Sequence, residues 1–134
     1  MVELIVVTHG SVADALKETA EMLVGEQGHI RTFGLHLGES VDELREKVAA
    51  AIEVAHGQGE VMVITDMLAG SPFNIASSLM SRYQFEHLTG INFPVFLEIL
   101  SNRDECTAAQ LMEMATSSGR DTLMDARKFF EEVE

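Results

Sequence analysis

Two polar side chains, His9 and Asp66, stand where short apolar runs end, at residues 4–7 and 61–64. An aspartate that accepts a hydrogen bond from one imidazole nitrogen fixes the tautomer of the ring and leaves the other nitrogen as a nucleophile. The sequence therefore contains a histidine and the carboxylate that would activate it, provided that the fold brings the two side chains together.

Two turns with glycine and serine predict an anion site beside this pair. Gly10 and Ser11 precede the first predicted helix, and Gly70 and Ser71 precede Pro72, a residue favoured in the first turn of a helix. Free backbone N–H groups and the helix dipole favour negative charge at such a start. We therefore predict that Gly10, Ser11, Gly70 and Ser71 bind a phosphate, with Ser71 as the N-cap residue.

Each of these residues also has an ordinary structural interpretation. A single histidine at a strand end is commonly a polar loop residue, Asp66 suits a turn, and Ser71 with Pro72 is a common helix start. The catalytic interpretation depends on their combination. The other four histidines are interpreted as packed or solvated, and His36 is a candidate for a minor role because it follows the second strand. None has a second histidine or a cysteine four residues away, and we predict neither a metal nor another cofactor.

Composition and missing motifs exclude several classes of function. The chain has 22 acidic and 9 basic residues, and a net charge of −13 disfavours nucleic acid and anionic membranes as direct partners. It contains no P-loop and no G-x-G-x-x-G after the first strand. Ser71 lacks the G-x-S-x-G nucleophile elbow of many hydrolases, because Phe73 occupies the last position. Cys106 is the only cysteine, which excludes an internal disulfide.

The elements that must position these residues follow from the hydrophobic pattern. Short apolar runs alternate with segments of helical periodicity, and Ser40 with Glu43 forms a capping-box sequence before one of them. The predicted strands cover residues 4–7, 30–37, 61–64 and 85–90, and the predicted helices cover 12–24, 41–55, a segment from 72, 94–100 and 107–117. This alternation predicts an α/β fold with a doubly wound, mostly parallel sheet in the order 2-1-3-4 and helices on both faces. In that order, His9 and Asp66 meet at the point where the strand order reverses, which is where open parallel sheets bind their ligands.

Length and the chain termini complete this prediction. The 134 residues predict a single domain covering 1–134. The apolar start is too short for a signal peptide and no run is long enough to span a membrane, which predicts a cytoplasmic protein. After Gly119, the residues Leu123, Ala126 and Phe130 could line a helix, and the first part of this segment could equally form a short strand.

Longer motifs give the chain a resemblance to a known family. The segments at 8–10, 65–74, 20–27 and 90–94 resemble, in order and approximate spacing, those of the mannose-family (mannose/fructose/sorbose) IIA proteins of the bacterial phosphoenolpyruvate:sugar phosphotransferase system, the PTS. The likeness extends over almost the whole chain. The segment with Asp66 and Gly70-Ser71-Pro72-Phe73-Asn74 is its most specific part.

The resemblance implies a function as a phosphoryl carrier, that is, a phosphotransferase acting through a protein histidine. His9 would accept a phosphoryl group from phospho-HPr and pass it to a IIB protein or domain for sugar uptake. Asp66 would orient the ring, and Ser71 with nearby backbone donors would hold the phosphate. The resemblance also implies a homodimer that exchanges a short antiparallel strand near the C-terminus, around residues 119–126, with the membrane involved only through the transporter components.

Two departures and three alternatives remain open. Ala69 stands where many family members carry glycine, and His36-Leu37 replaces a more apolar pair that contains proline, which bears on the choice of partner. A phosphocarrier subunit for dihydroxyacetone kinase is a close variant. A regulatory or interaction module switched by phosphorylation belongs to another class, although the chain shows no attached domain. A hydrolase that uses Ser71, His9 and Asp66 is a third.

Overall fold

Four short strands rich in aliphatic residues form one parallel sheet in the computed structural model, which describes residues 1–133. The strand order is 2-1-3-4, as predicted from the sequence. Residues Val7 and Thr65 are register partners, so the first and third strands run side by side to the same edge. The strands are β1 (Glu3–His9), β2 (Ile30–Leu35), β3 (Val61–Thr65) and β4 (Glu86–Thr89).

Helices cover both faces of this sheet, because successive side chains of each strand point to opposite sides. On β1, Ile5 and Val7 belong to one apolar core, and Leu4 and Val6 belong to the other. The helices are α1 (Val12–Val24), α2 (Val41–His56), α3 (Ser71–Leu79), α4 (Phe93–Asn102), α5 (Ala108–Ser118) and α6 (Ala126–Val133), with a short 3₁₀ helix at Gly119–Asp121. Helices α2 and α3 cover the core that contains Ile5 and Val7, and α1, α4 and α5 cover the other.

Local capping explains where several helices begin. The Ser40 hydroxyl accepts a hydrogen bond from the Glu43 N–H at 3.2 Å, which gives the serine half of the predicted capping box. A complete capping box is present at α5, where Thr107 and Gln110 satisfy each other's backbone N–H groups. Asn92 caps α4 through the Val95 N–H. The predicted helices are thereby confirmed, with ends that differ by a few residues.

The C-terminal segment differs from the prediction for this single chain. The predicted antiparallel strand near 119–126 is not formed, because these residues make the 3₁₀ helix, a bend and the start of α6. A strand requires a neighbouring strand as hydrogen-bond partner, and the described chain offers none there. Exchange of this segment between two copies therefore stays a prediction. Among residues 1–133, none of the helices combines the length and apolar character needed to cross a bilayer.

Candidate functional site

The His9–Asp66 pair forms where β1 and β3 end. Asp66 Oδ2 accepts a hydrogen bond from the His9 backbone N–H at 3.0 Å and lies 2.9 Å from His9 Nδ1. One carboxylate oxygen therefore holds both the main chain and the ring of the same residue. This geometry selects the tautomer with the proton on Nδ1 and leaves the Nε2 lone pair unshared.

The two partners differ in exposure. The His9 side chain is 46% exposed, whereas that of Asp66 is 16% exposed. The second carboxylate oxygen, Oδ1, is buried, and no donor within residues 1–133 reaches it. The hydrogen bonds that Asp66 accepts within the described residues therefore come from His9. Such a carboxylate stabilises positive charge on the imidazole ring, which develops when Nε2 forms a fourth bond to an electrophile.

Gly70 brings the start of α3 against the His9 ring. A Cβ atom on Gly70 would lie 3.0 Å from His9 Cε1 and 3.2 Å from Nε2, closer than most Cβ contacts in proteins. The φ angle of Gly70 is +90°, which also favours glycine. A larger residue would push the ring and the helix start apart.

The N-cap residue of α3 is Gly70, and Ser71 is the first helical residue, so the prediction of Ser71 as N-cap is wrong. The reason is the positive φ of Gly70, which places the change of chain direction one residue earlier. No side chain within residues 1–133 caps this terminus. The first backbone N–H groups of a helix have no partner within the helix, so this terminus favours an anion.

The first helix offers fewer donors than predicted. The Gly10 N–H donates to the Leu35 carbonyl at 2.8 Å, so it is already used by the backbone. The Ala13 N–H donates to the buried Thr8 hydroxyl at 2.9 Å. A phosphate at His9 would therefore find its main backbone donors at α3 rather than at α1. A contact from Gly10 would require its bond to Leu35 to break.

His36 lies at the same edge but does not join the pair. Its N–H donates to Glu39 Oε1 at 2.6 Å, which closes a tight turn after β2. Its Nε2 lies 3.4 Å from the position of a Cβ on Gly34, where a side chain would also collide with the Gly10 carbonyl at 2.0 Å. No bond between His36 and His9 occurs in the described chain, so the minor role of His36 stays a prediction.

An apolar rim, defined as Val12, Leu37, Met67 and Leu68, lies on the segments that follow β1, β2 and β3, with Val12 as the first residue of α1. All four side chains are exposed, and Leu37 is fully so. A cavity of about 370 Å³, lined in part by His56, Glu60 and Ala108, lies near the opposite edge of the sheet. His9 therefore sits on an open surface that suits a protein partner better than an enclosed small substrate.

The sequence analysis did not identify three residues that support the site: Thr8, Thr65 and His87. Thr8 holds the start of α1, and Thr65 bonds to His87 directly behind Asp66. Their only signal in the sequence is that each is a polar residue within a predicted strand or next to its end. The hydrolase alternative gains no support, because no hydrogen bond joins Ser71 to His9 within residues 1–133.

Comparison with known proteins gives consistent matches. Residues 3–116 match the model of the family EIIA-man, described as PTS system fructose IIA component. The fructose-specific EIIA component of Bacillus subtilis is 28% identical over 99% of this chain and 92% of its own length. The mannose-specific EIIAB component of Escherichia coli K12 is 33% identical over 90% of this chain, which spans 38% of that longer protein.

Solved structures agree with this match. The PTS IIA protein associated with the fucose utilization operon of Streptococcus pneumoniae superimposes with a TM-score of 0.86 at 28% identity, covering 96% of each chain. The EIIA component from Streptococcus agalactiae superimposes with a TM-score of 0.84 at 25% identity, covering 96% of this chain and 99% of the other.

Proposed function

The chain belongs to the EIIA-man family of PTS components, which are phosphoryl carriers for sugar uptake, and on that premise we propose that His9 is the residue that carries the phosphoryl group. The observation that supports this assignment is the 2.9 Å contact between His9 Nδ1 and Asp66 Oδ2. It leaves Nε2 as the nitrogen that reacts. The sequence alone left the choice between the two ring nitrogens open.

The transfer follows from this geometry. The Nε2 lone pair of His9 attacks the phosphorus atom of a phosphohistidine on the donor protein, phospho-HPr. The new P–Nε2 bond forms as the P–N bond to the donor breaks, and the electron pair of that bond returns to the donor imidazole. The proton on His9 Nδ1 stays in its bond to Asp66, whose carboxylate stabilises the positive charge that the His9 ring acquires.

The start of α3 supplies the anion contacts in this proposal. The backbone N–H groups there and the Ser71 hydroxyl hold the phosphoryl oxygens, and Gly70 allows their close approach to the ring. In this proposal Ser11, at the start of α1, is an additional hydrogen-bond donor to the phosphate. Gly10 does not donate to the phosphate, because its backbone N–H is bonded to the Leu35 carbonyl. Onward transfer to a IIB protein or domain reverses the same steps, with an acceptor side chain of IIB in place of HPr.

Docking of both partners uses the apolar rim. Val12, Leu37, Met67 and Leu68 are exposed around His9 and would be buried against HPr or IIB, which stabilises an encounter in which water is excluded from the phosphoryl group. The open position of His9 allows one surface to serve two partners in turn. In this proposal, phosphoryl transfer between these proteins takes place in the cytoplasm.

The homodimer with exchanged C-terminal segments belongs to the same proposal. Leu123, Met124 and Phe130 are exposed in the single chain, and a second copy would bury them. Sedimentation velocity over a range of concentrations tests it. A dimer that a deletion of residues 119–134 converts to a monomer supports the exchange, and a monomer at all concentrations contradicts it.

Phosphorylation by phospho-HPr tests the carrier role. The protein is incubated with phosphoenolpyruvate, enzyme I and HPr, and acid-labile phosphate on it is measured for the wild type, His9→Ala and His29→Ala. His29 is a matched control, because it also contacts a carboxylate through Nδ1 and is 48% exposed. We expect phosphate on the wild type and on His29→Ala, and none on His9→Ala.

The other outcomes are equally informative. Phosphate on all three proteins would show that a residue other than His9 accepts the phosphoryl group. No phosphate on any of them, with HPr shown to be charged, would contradict transfer from HPr altogether.

A further inference from the structure

A polar cluster, defined as Thr65, His87 and Thr89, lies directly behind Asp66 on β3 and β4. The Thr65 hydroxyl is 2.8 Å from His87 Nε2 and 2.8 Å from the Thr89 hydroxyl. Thr65 is fully buried, and Thr65 and Thr89 are register partners in the sheet. The transfer mechanism above makes no use of this cluster.

The Thr65 hydroxyl links His87 to Thr89. A threonine hydroxyl can donate one hydrogen bond and accept others, so Thr65 can bond to His87 Nε2 and to the Thr89 hydroxyl at the same time. Burial lowers the pKa of His87, which favours the neutral ring. The cluster is therefore a continuous chain of hydrogen bonds from His87 through Thr65 to Thr89.

The His87 ring also packs on the other side of the site. Its centroid lies 5.2 Å from that of Phe73, with the rings tilted by 39°. Thr65 is the last residue of β3, and Phe73 is the third residue of α3. His87 therefore contacts a residue on each side of the connecting segment 66–70, which we call the site loop.

The site loop needs such support. It forms neither helix nor strand, and it includes Ala69 with a φ of +69° as well as Gly70. It carries Asp66 at one end and presents the start of α3 to His9 at the other. A shift of either end would change the distance from Asp66 Oδ2 or from the α3 donors to the His9 ring.

We propose that His87 is a positioning residue for phosphoryl transfer, which acts through Thr65 and Phe73 to hold the site loop against the His9 ring. The inference rests on the proposed carrier function of His9. His87 does not touch the reacting atoms. Its effect is on the orientation of groups that do, and small displacements of such groups reduce reaction rates strongly.

The experiment measures the His9 ring as well as the reaction. Nitrogen-15 NMR of the imidazoles gives the fraction of His9 that is protonated on Nδ1, and initial rates with phospho-HPr give the transfer step. The variants are His87→Ala, His87→Gln and Thr65→Val. Leu88→Ala is the control, because Leu88 is the neighbour on β4 whose side chain belongs to the opposite apolar core.

We expect His87→Ala to lower the initial rate about tenfold and to reduce the Nδ1-protonated fraction of His9. Thr65→Val should do the same, since it removes the hydrogen-bond partner of His87. His87→Gln should recover part of both, because the glutamine amide can also form a hydrogen bond with the Thr65 hydroxyl. Leu88→Ala should lower the melting temperature while leaving the His9 tautomer and the rate of the folded protein unchanged.

Two results would overturn the proposal. One is an unchanged tautomer and rate in His87→Ala and Thr65→Val. The other is an equal loss in Leu88→Ala, which would show a general effect of weaker packing. If His87→Ala does not fold, His87→Gln and Thr65→Val decide the question. If the wild type takes no phosphate, the carrier proposal fails, and the tautomer measurement still decides the role of His87.

Discussion

Strand β1 has a histidine–carboxylate pair at each end, and the two pairs are alike in their own geometry. His9 Nδ1 lies 2.9 Å from Asp66 Oδ2, and His29 Nδ1 lies 2.6 Å from Glu3 Oε2. The imidazoles are 46% and 48% exposed. The contact between ring and carboxylate therefore does not by itself distinguish a carrier from a structural pair.

The surroundings of the two pairs differ. Beside Glu3, the buried Arg103 guanidinium donates to the carbonyls of Val2, Gly28 and His29 and to the Gln27 side chain. Burial lowers the pKa of Arg103, and the negative charges of Asp104 and Glu3 oppose this effect. This end of the sheet thus satisfies its polar groups internally, as a stabilising network does.

Around His9 the opposite holds. Within residues 1–133, one buried oxygen of Asp66 has no donor, the start of α3 has no side-chain cap, and exposed apolar side chains form the rim. A bound phosphate would provide an acceptor for the backbone N–H groups at the start of α3, and a second protein would cover the rim. Unsatisfied polar groups and exposed apolar surface around a pair, rather than the pair itself, therefore distinguish the end for which we propose phosphoryl transfer.

The largest expected difference between the two ends comes from neutralising each carboxylate. Asp66→Asn should reduce the phosphorylation rate by on the order of 100-fold, because an amide cannot stabilise the charge on the His9 ring. Glu3→Gln should leave the rate of the folded protein unchanged and lower the melting temperature. Rates with phospho-HPr and thermal unfolding measure both. Equal rates for Asp66→Asn and the wild type would remove the proposed role of Asp66.

The next effect concerns stability at the Glu3 end. Arg103→Met should lower the free energy of unfolding by about 3 kcal/mol, because it leaves buried acceptors and the buried Glu3 carboxylate without their cation. Arg45→Met is the control, since Arg45 pairs with the exposed Asp42 and should change stability by less than about 1 kcal/mol. Urea unfolding measures both. Similar losses in the two variants would contradict a special role for the Arg103 network.

A smaller effect is expected at Ala69 in the site loop. Ala69→Gly should raise the free energy of unfolding by about 1 kcal/mol, because alanine is strained at a φ of +69°. Ala50→Gly, at an exposed position within α2, should lower it by about the same amount. Chemical unfolding of both variants tests this contrast. A loss of stability in Ala69→Gly would show that the strain at Ala69 is compensated by other contacts.

The smallest expected effect is on the pH dependence of stability and comes from His87. Its imidazole contacts the Thr65 hydroxyl and the Phe73 ring instead of a carboxylate. Its pKa in the folded protein is lowered by burial from an ordinary value of 6.5, so the unfolded chain binds the proton more readily. The free energy of unfolding should therefore fall as the pH decreases below about 6.5, and this contribution is absent above that value.

His87→Gln should remove this part of the pH dependence. The measurement is urea unfolding of the wild type and the variant between pH 7 and pH 5. Parallel curves for the two proteins would contradict the lowered pKa of His87.

Much of the fold could be predicted from the pattern of apolar runs. The four strands, the main helices and the parallel order depend on periodicity and on turn residues such as Gly70 and Pro72, which act over a few positions. The pairing of His9 with Asp66 was also predictable, because both follow buried strands that are neighbours in the common order. The C-terminal segment was not, since a strand there depends on a partner outside the single chain.

The sequence by itself was enough to single out His9, Asp66 and the helix start at Gly70-Ser71 as candidate site residues, because residue type and spacing are local signals. Only the tertiary structure decided which ring nitrogen of His9 contacts Asp66, that the Gly10 N–H is bonded to the Leu35 carbonyl, and that His87 contacts Thr65 and Phe73. These features depend on distances between residues far apart in the chain. Such distances are set by strand register and side-chain packing, which no local pattern encodes.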